Sequence, residues 1–142
     1  MNNERYIFRG KRMDNREWIT GYLYVTHLNE YEIGTYSFNS NIERLTQTVD
    51  PATIGQCTGV RDKDEELIFE GDVFRCSWSD TGVVTWGNNR AISGERGYLN
   101  DRWVIVWNGE ANNRYRNDLG FWAYFGSVIG NIHDNPELIE RS

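Results

Sequence analysis

The sequence predicts an all-β protein folded as a small barrel or roll. Its apolar runs end within about eight residues, and no long segment keeps a helical period. Turn-forming residues separate these runs at short intervals, which favours many short strands. Between Gly71 and Trp86 a bend, a strand, a glycine-containing turn and a second strand follow one another. This order is typical of an SH3-like barrel.

The N-terminal region predicts a β hairpin. Strand-forming residues at 6–10 and 18–25 flank a polar turn at residues 13–17. Residues 31–38 alternate weakly between apolar and polar side chains, and residues 37–41 are typical of a loop. The predicted hairpin therefore precedes a less regular segment.

The middle of the chain predicts a capped helical turn. Asp50 suits the cap position and Pro51 suits the first helical position. This turn must be short, because glycines follow at positions 55 and 59. Residues 62–66 are strongly acidic and predict a solvated turn.

The remaining elements are predicted from alternation and turn residues. Apolar or alternating segments predict strands or strand-like runs at residues 67–69, 73–78, 83–86, 103–107 and 127–132. The polar segment at 87–101 predicts a mobile or exposed loop, and residues 109–117 are polar again. Residues 121–125 fit either a strand or the edge of an aromatic patch. Asn135 before Pro136 predicts a short capped helical turn near the C-terminus.

These elements predict a division into subdomains. We expect an N-terminal β hairpin subdomain at residues 1–49 and a connecting turn at 50–59. The SH3-like roll with its C-terminal tail is expected at residues 60–142.

Composition sets broad limits on function. The 142 residues carry a formal net charge of −6, which gives no general attraction to nucleic acid or to anionic membranes. The chain has 14% aromatic residues, which argues against disorder. No apolar run approaches the roughly 20 residues that span a bilayer, and the polar start predicts no signal peptide. We expect a cytoplasmic protein.

The sequence contains little that matches known catalytic or metal-binding motifs. Cys57 and Cys76 are expected to be free thiols, because neither they nor His27 and His133 form the close pairs typical of zinc sites. Acidic residues at 62, 64 and 66 have the spacing that opens a calcium loop. That loop also needs glycine and glutamate where this chain has leucine and valine, at positions 67 and 73. Phosphate-binding loops and a nucleophile elbow are absent from the sequence. We therefore expect no enzyme, no catalytic residues, no metal and no cofactor.

A basic and aromatic stretch near the N-terminus carries the alternative hypothesis of nucleic-acid binding. Its candidate residues are Arg9, Lys11, Arg12, Arg16 and Trp18. Cations beside aromatic rings can hold a single strand through phosphate contacts and base stacking. Acidic neighbours and the net charge argue against it, and strand alternation could separate the cations from the rings. The favoured interpretation is a solvated face over an aromatic core.

The tryptophans support a protein interface. Five of them, Trp78, Trp86, Trp103, Trp107 and Trp122, are too many for each to be fully buried in a small core. Tryptophan and tyrosine are enriched at interfaces between proteins. A core of partly exposed strand aromatics is the other interpretation.

Three blocks of sequence resemble the YopX-like family of phage and prophage proteins. The blocks are residues 7–12 with Trp18 and Gly21, residues 51–63 continuing to 68–73, and residues 129–138. The resemblance implies a mostly β protein with an SH3-like roll that assembles into homo-oligomers. It implies no activity, because the family has no established function or catalytic residues. The chain departs from the family pattern at Asp64-Glu65, where an Asn-Gly type of turn is common, and residues 87–120 match nothing recognisable.

The leading hypothesis is a non-enzymatic, homo-oligomeric phage or prophage accessory protein. It would act through protein–protein contacts inside the bacterial host cell, on an unknown host or phage partner. The alternative is a small β-barrel module that binds nucleic acid through the basic and aromatic N-terminal surface.

Overall fold

The structure, a computed structural model, describes residues 4–36, 44–88 and 101–139. Within these ranges the chain is mostly β, with antiparallel sheets and a short C-terminal helical turn, as the sequence predicted. The strands are β1 (Phe8–Lys11), β2 (Trp18–Val25), β3 (Tyr31–Tyr36), β4 (Arg44–Thr48), β5 (Gly55–Arg61), β6 (Leu67–Phe69), β7 (Asp72–Cys76), β8 (Thr81–Asn88), β9 (Asp101–Trp107) and β10 (Gly126–Asn131). The helices are α1 (Ala111–Arg114), α2 (Leu119–Trp122) and 3-10 turns at Glu4–Tyr6, Pro51–Thr53, Ala123–Phe125 and Pro136–Ile139.

The chain forms two compact units. The first is Met1–Gly59 and the second is Val60–Ser142. The predicted finer division at residues 1–49, 50–59 and 60–142 stays a prediction, as does the SH3-like connection of the second unit.

The first unit contains an antiparallel sheet in the order β4-β3-β2-β1-β5. One face of this sheet covers a small core, in which Ile33 and Val49 are almost completely buried. Gly10 lies in this core, and a Cβ atom there would come within 3.1 Å of the Val49 Cβ. The core is thus tight where β1 crosses it.

The predicted cap at Asp50 is confirmed. Its carboxylate accepts a hydrogen bond from the Ala52 N–H at 3.0 Å, and Pro51 begins the 3-10 turn. The Thr53 hydroxyl donates to the Asp50 carbonyl oxygen at 2.7 Å and accepts from the Lys11 N–H at 2.8 Å. This turn therefore holds the end of β1 through side-chain hydrogen bonds.

The second unit is built on an antiparallel sheet in the order β10-β7-β8-β9. Helices α1 and α2 and the adjoining 3-10 turn pack on it and complete its core. The buried residues of that core are Ile68, Phe74, Cys76, Val84, Ile105, Trp107, Ala111, Leu119, Trp122 and Ala123.

The acidic turn at residues 62–66 is only partly solvated, which corrects the sequence-based interpretation. Asp62 is buried, and its carboxylate accepts hydrogen bonds from the N–H groups of Asp64, Glu66 and Val128 at 2.8–3.0 Å, which replace its contacts with water. One carboxylate thus closes the turn before β6 and joins it to β10. The pKa of the neighbouring Asp64 is lowered by a hydrogen bond from Ser127.

Four other predicted elements differ from the structure. Residues 121–125 are helical, and residues 77–78 belong to a turn that follows β7. Strands β8 and β9 take up both ends of the predicted loop at 87–101, and the rest of that loop lies outside the described residues. The Asn135 side chain accepts a hydrogen bond from the Asn131 N–H in place of capping the following turn. The loop predicted at 37–41 also lies outside the described residues.

The Gly82→Ala substitution tests how closely β8 and β9 pack in the core of the second unit. A Cβ atom at this position would lie 2.5 Å from Ile105 Cγ2 and 2.7 Å from the Val106 carbonyl oxygen, so Gly82→Ala forces β8 and β9 apart. We expect it to lower the free energy of unfolding by about 1–3 kcal/mol, measured by urea denaturation.

Gly120→Ala is the matched control, because no atom lies within 4 Å of a Cβ atom built there. Alanine in the helix should leave stability unchanged or raise it by up to about 1 kcal/mol. Equal losses from the two substitutions would contradict this account of the β8–β9 packing.

Candidate functional site

Two stripes of side chains run along α2 and the 3-10 turn that follows it. The inner stripe is buried in the second core and consists of Leu119, Trp122 and Ala123. The outer stripe is exposed and consists of Phe121, Tyr124 and Phe125. Residues three and four apart share one face of a helix, which explains why the two sets point to opposite sides. The sequence left residues 121–125 open between a strand and the edge of an aromatic patch, and the exposed rings of the outer stripe agree with the second interpretation.

The helical segment is anchored to the core through one backbone oxygen. The indole N–H groups of Trp107 and Trp122 both donate to the Arg116 carbonyl oxygen, at 3.1 and 2.7 Å. The two rings also meet edge to face, with their centroids 5.0 Å apart. A buried indole N–H requires a partner, and here one acceptor serves two of them.

Tyr115 adds a second anchor. Its hydroxyl donates to the Asp80 carboxylate at 2.5 Å, and this hydrogen bond raises the pKa of Tyr115 to about 12. Its ring contacts those of Trp107 and Trp122, with centroids 5.4 and 5.3 Å away. The turn between β7 and β8 is thereby tied to the segment that precedes α2.

An apolar pocket opens between that turn and the helical segment. Its volume is about 270 Å³, and it is lined by Ser77, Trp78, Phe121, Trp122 and Phe125. Trp78 lies at the edge of the pocket, is 67% exposed, and packs on Trp122 with ring centroids 5.7 Å apart. The Ser77 hydroxyl and N–H both donate to the Phe125 carbonyl oxygen, at 2.6 and 2.7 Å, so the two walls are joined. We call the exposed residues Trp78, Phe121, Tyr124 and Phe125, with this pocket, the aromatic surface.

The aromatic surface suits a neutral apolar or aromatic group. A cation already lies on it, because the Arg116 guanidinium is 4.3 Å from the Phe121 ring centroid. Asp118 holds that guanidinium with two hydrogen bonds of 2.6 and 2.9 Å. For comparison, an engineered apolar cavity of about 150 Å³ in another protein binds benzene, so a single ring fits here by size.

The five tryptophans considered in the sequence divide between core and surface. Trp107 and Trp122 are buried, and Trp103 is half-buried. Trp78 and Trp86 are mostly exposed, and Trp86 stacks edge to face on Trp103. Partial exposure of these aromatics is therefore confirmed for the described residues, and a protein interface stays a prediction.

Three of the predicted nucleic-acid residues lie together in the first unit. The Arg9 guanidinium and the Lys11 ammonium are 4.8 and 5.4 Å from the Trp18 ring centroid. Each cation–π contact of this kind contributes about 0.5–1 kcal/mol of interaction free energy at an exposed site. Strand alternation therefore brings these cations and the ring to one face.

The other two predicted residues bind carboxylates instead. The Arg12 guanidinium donates to Asp14 at 2.6 and 2.9 Å, and this hydrogen bond lowers the pKa of the Asp14 carboxyl. Arg16 forms an ion pair with Asp50 at 3.1 Å. Neither belongs to the cluster at Trp18 in the described contacts.

The described residues hold no group of three or more histidine, cysteine or acidic side chains placed to bind a metal ion. Cys57 and Cys76 are buried thiols that form no disulfide bond. No helix in the described ranges has the length and apolar character needed to cross a bilayer.

The Tyr115–Asp80 hydrogen bond predicts a specific pH dependence of stability. The phenol pKa rises from 10.0 to about 12 on folding, so the stabilisation is complete below pH 10 and is lost as the pH rises through about 12. Urea denaturation of the wild type and of Tyr115→Phe should show a stability difference that is constant up to pH 10 and disappears above 12. A difference that stays constant through this range would argue against the bond as its source.

Comparison with known proteins identifies the family. A family model described as YopX protein matches residues 7–140, which is nearly the whole chain. A comparison with curated proteins gives no match. The resemblance inferred from the three sequence blocks is confirmed: the chain belongs to the YopX family.

Proposed function

We propose that this protein is a non-enzymatic phage or prophage accessory protein that works as a homo-oligomer through protein–protein contacts. The family supports a phage-type role. The single observation that carries the interface is the aromatic surface, where exposed rings surround an apolar pocket. We further propose that the protein acts inside the bacterial host cell and that the second unit is an SH3-like roll.

The aromatic surface has the chemistry of an interface centre. Interfaces concentrate aromatic residues in their core, and a few such side chains carry most of the binding energy. Exposure of these rings to water is unfavourable, and burying them in an interface stabilises the complex by roughly 25 cal/mol for each Å² of apolar area. Fixed walls also lower the entropy cost of association.

The occupant we propose for the pocket is Tyr124 of a second copy. Tyr124 is 80% exposed and belongs to the same 3-10 turn as the pocket residue Phe125. A projecting ring and a recess therefore lie side by side on one surface. A two-fold interface requires such a self-complementary surface, because each copy presents the same residues to the other.

Substitution of the projecting ring tests the proposal. Tyr124→Ser removes a side chain that is mostly solvent-exposed, so the fold should persist while association is lost. We expect the dissociation constant to rise by about thirtyfold, which corresponds to a hot-spot contribution of about 2 kcal/mol. Size-exclusion chromatography with light scattering over a dilution series measures it.

Two tryptophans provide a matched comparison. Trp78→Ala removes a wall of the pocket and should weaken association, whereas Trp86→Ala removes a tryptophan that is 54% exposed on β8, outside the pocket lining. The Trp86 variant should keep the wild-type mass. A monomeric wild type, or Tyr124 and Trp78 variants that associate normally, would overturn the proposal.

A further inference from the structure

One face of the first unit's sheet combines cations with aromatic rings. Along β1 and β2, Lys11 pairs with Trp18 and Arg9 pairs with Thr20, and directly opposite residues share a face. Side chains alternate along a strand, so Tyr22 and Tyr24 project to the same face as Trp18. We call Arg9, Lys11, Trp18, Tyr22 and Tyr24 the platform.

The platform lies on the face of this sheet opposite Gly10 and Ile33, and its Arg9 end is partly covered, because the Arg9 Nε is buried. The intervening residues Gly10 and Ile33 lie on the opposite face and pack with Val49 in the first unit's core. The platform's own rings are accessible, because Tyr22 is exposed and Trp18 is half-buried. The Arg9 guanidinium and the Lys11 ammonium lie 4.8 and 5.4 Å from the Trp18 ring centroid, within cation–π distance.

The first unit is much less acidic than the protein as a whole. Residues 1–59 contain six lysines and arginines and seven aspartates and glutamates, so most of the acidic surplus belongs to the second unit. Glu32 lies across from Tyr24 on the platform face, and its carboxylate accepts a hydrogen bond from Thr46 at 2.8 Å. The positive end of the platform is therefore at Arg9 and Lys11.

We propose that the platform binds single-stranded nucleic acid, a function separate from the proposed oligomer interface. Bases would stack on Trp18 and Tyr22, while Arg9 and Lys11 leave the Trp18 ring to contact phosphates. Base stacking on Trp18 would replace two cation–π contacts, and the phosphate contacts that Arg9 and Lys11 then form would add to it, which makes the exchange favourable. An acidic peptide would use the cations alone and leave the rings without a stacking partner.

Fluorescence anisotropy of the full-length protein with a labelled oligothymidylate of about 16 nucleotides tests this proposal. Binding should appear at low salt and weaken as salt rises. Trp18→Leu and Tyr22→Ser should each weaken it by about tenfold. Arg9→Gln and Lys11→Gln should each lower the slope of log affinity against log salt by about 0.7.

Arg75→Gln is the matched control, because it removes the same charge from an exposed position on β7 in the second unit. It should leave affinity and salt slope unchanged. Absence of binding at low salt would overturn the proposal, as would equal losses from Arg75→Gln and Lys11→Gln. Unchanged binding by a folded Tyr22→Ser, together with equal competition by inorganic polyphosphate, would indicate charge alone and also overturn it. If Trp18→Leu fails to fold, Tyr22→Ser and Lys11→Gln decide the matter.

Discussion

The carbonyl oxygen of Arg116 accepts hydrogen bonds from two indole groups, and the aromatic surface depends on this arrangement. Trp107 belongs to β9 and Trp122 belongs to α2, so the shared acceptor fixes the helical segment against the sheet. With the inner stripe held in the core, the helical repeat leaves the other aromatic rings outside. The aromatic surface is therefore exposed because the hydrogen bonds of the two buried indole N–H groups fix the orientation of the helical segment.

The aromatic residues of the two units lie in different chemical surroundings. In the second unit the rings surround an apolar pocket, and a cation–π contact places Arg116 on Phe121 while Asp118 holds the guanidinium. In the first unit two cations lie over one tryptophan on a strand face. The first arrangement favours contact with another apolar surface, and the second favours an anion that also offers a flat ring.

Local patterns were predictable from the sequence and long-range ones were not. The hairpin strands and the Asp50 cap follow from alternation and from neighbours in the chain. Residues 121–125 were ambiguous, because a short apolar run fits a strand as well as a helix until its burial is known. Arg16 was a candidate for nucleic-acid binding because its partner Asp50 is distant in sequence. The burial of Asp62 likewise depends on Val128, which strand pairing brings close.

Photo-crosslinking from position 124 tests the central claim most directly. A photoreactive phenylalanine analogue in place of Tyr124 would be activated in a mixture of unlabelled and isotope-labelled protein, and mass spectrometry would separate intermolecular from intramolecular products. The account predicts intermolecular crosslinks to the pocket residues Ser77, Trp78 or Phe121. Absence of intermolecular products at concentrations where the protein is purified, or crosslinks only to residues of the first unit, would contradict it.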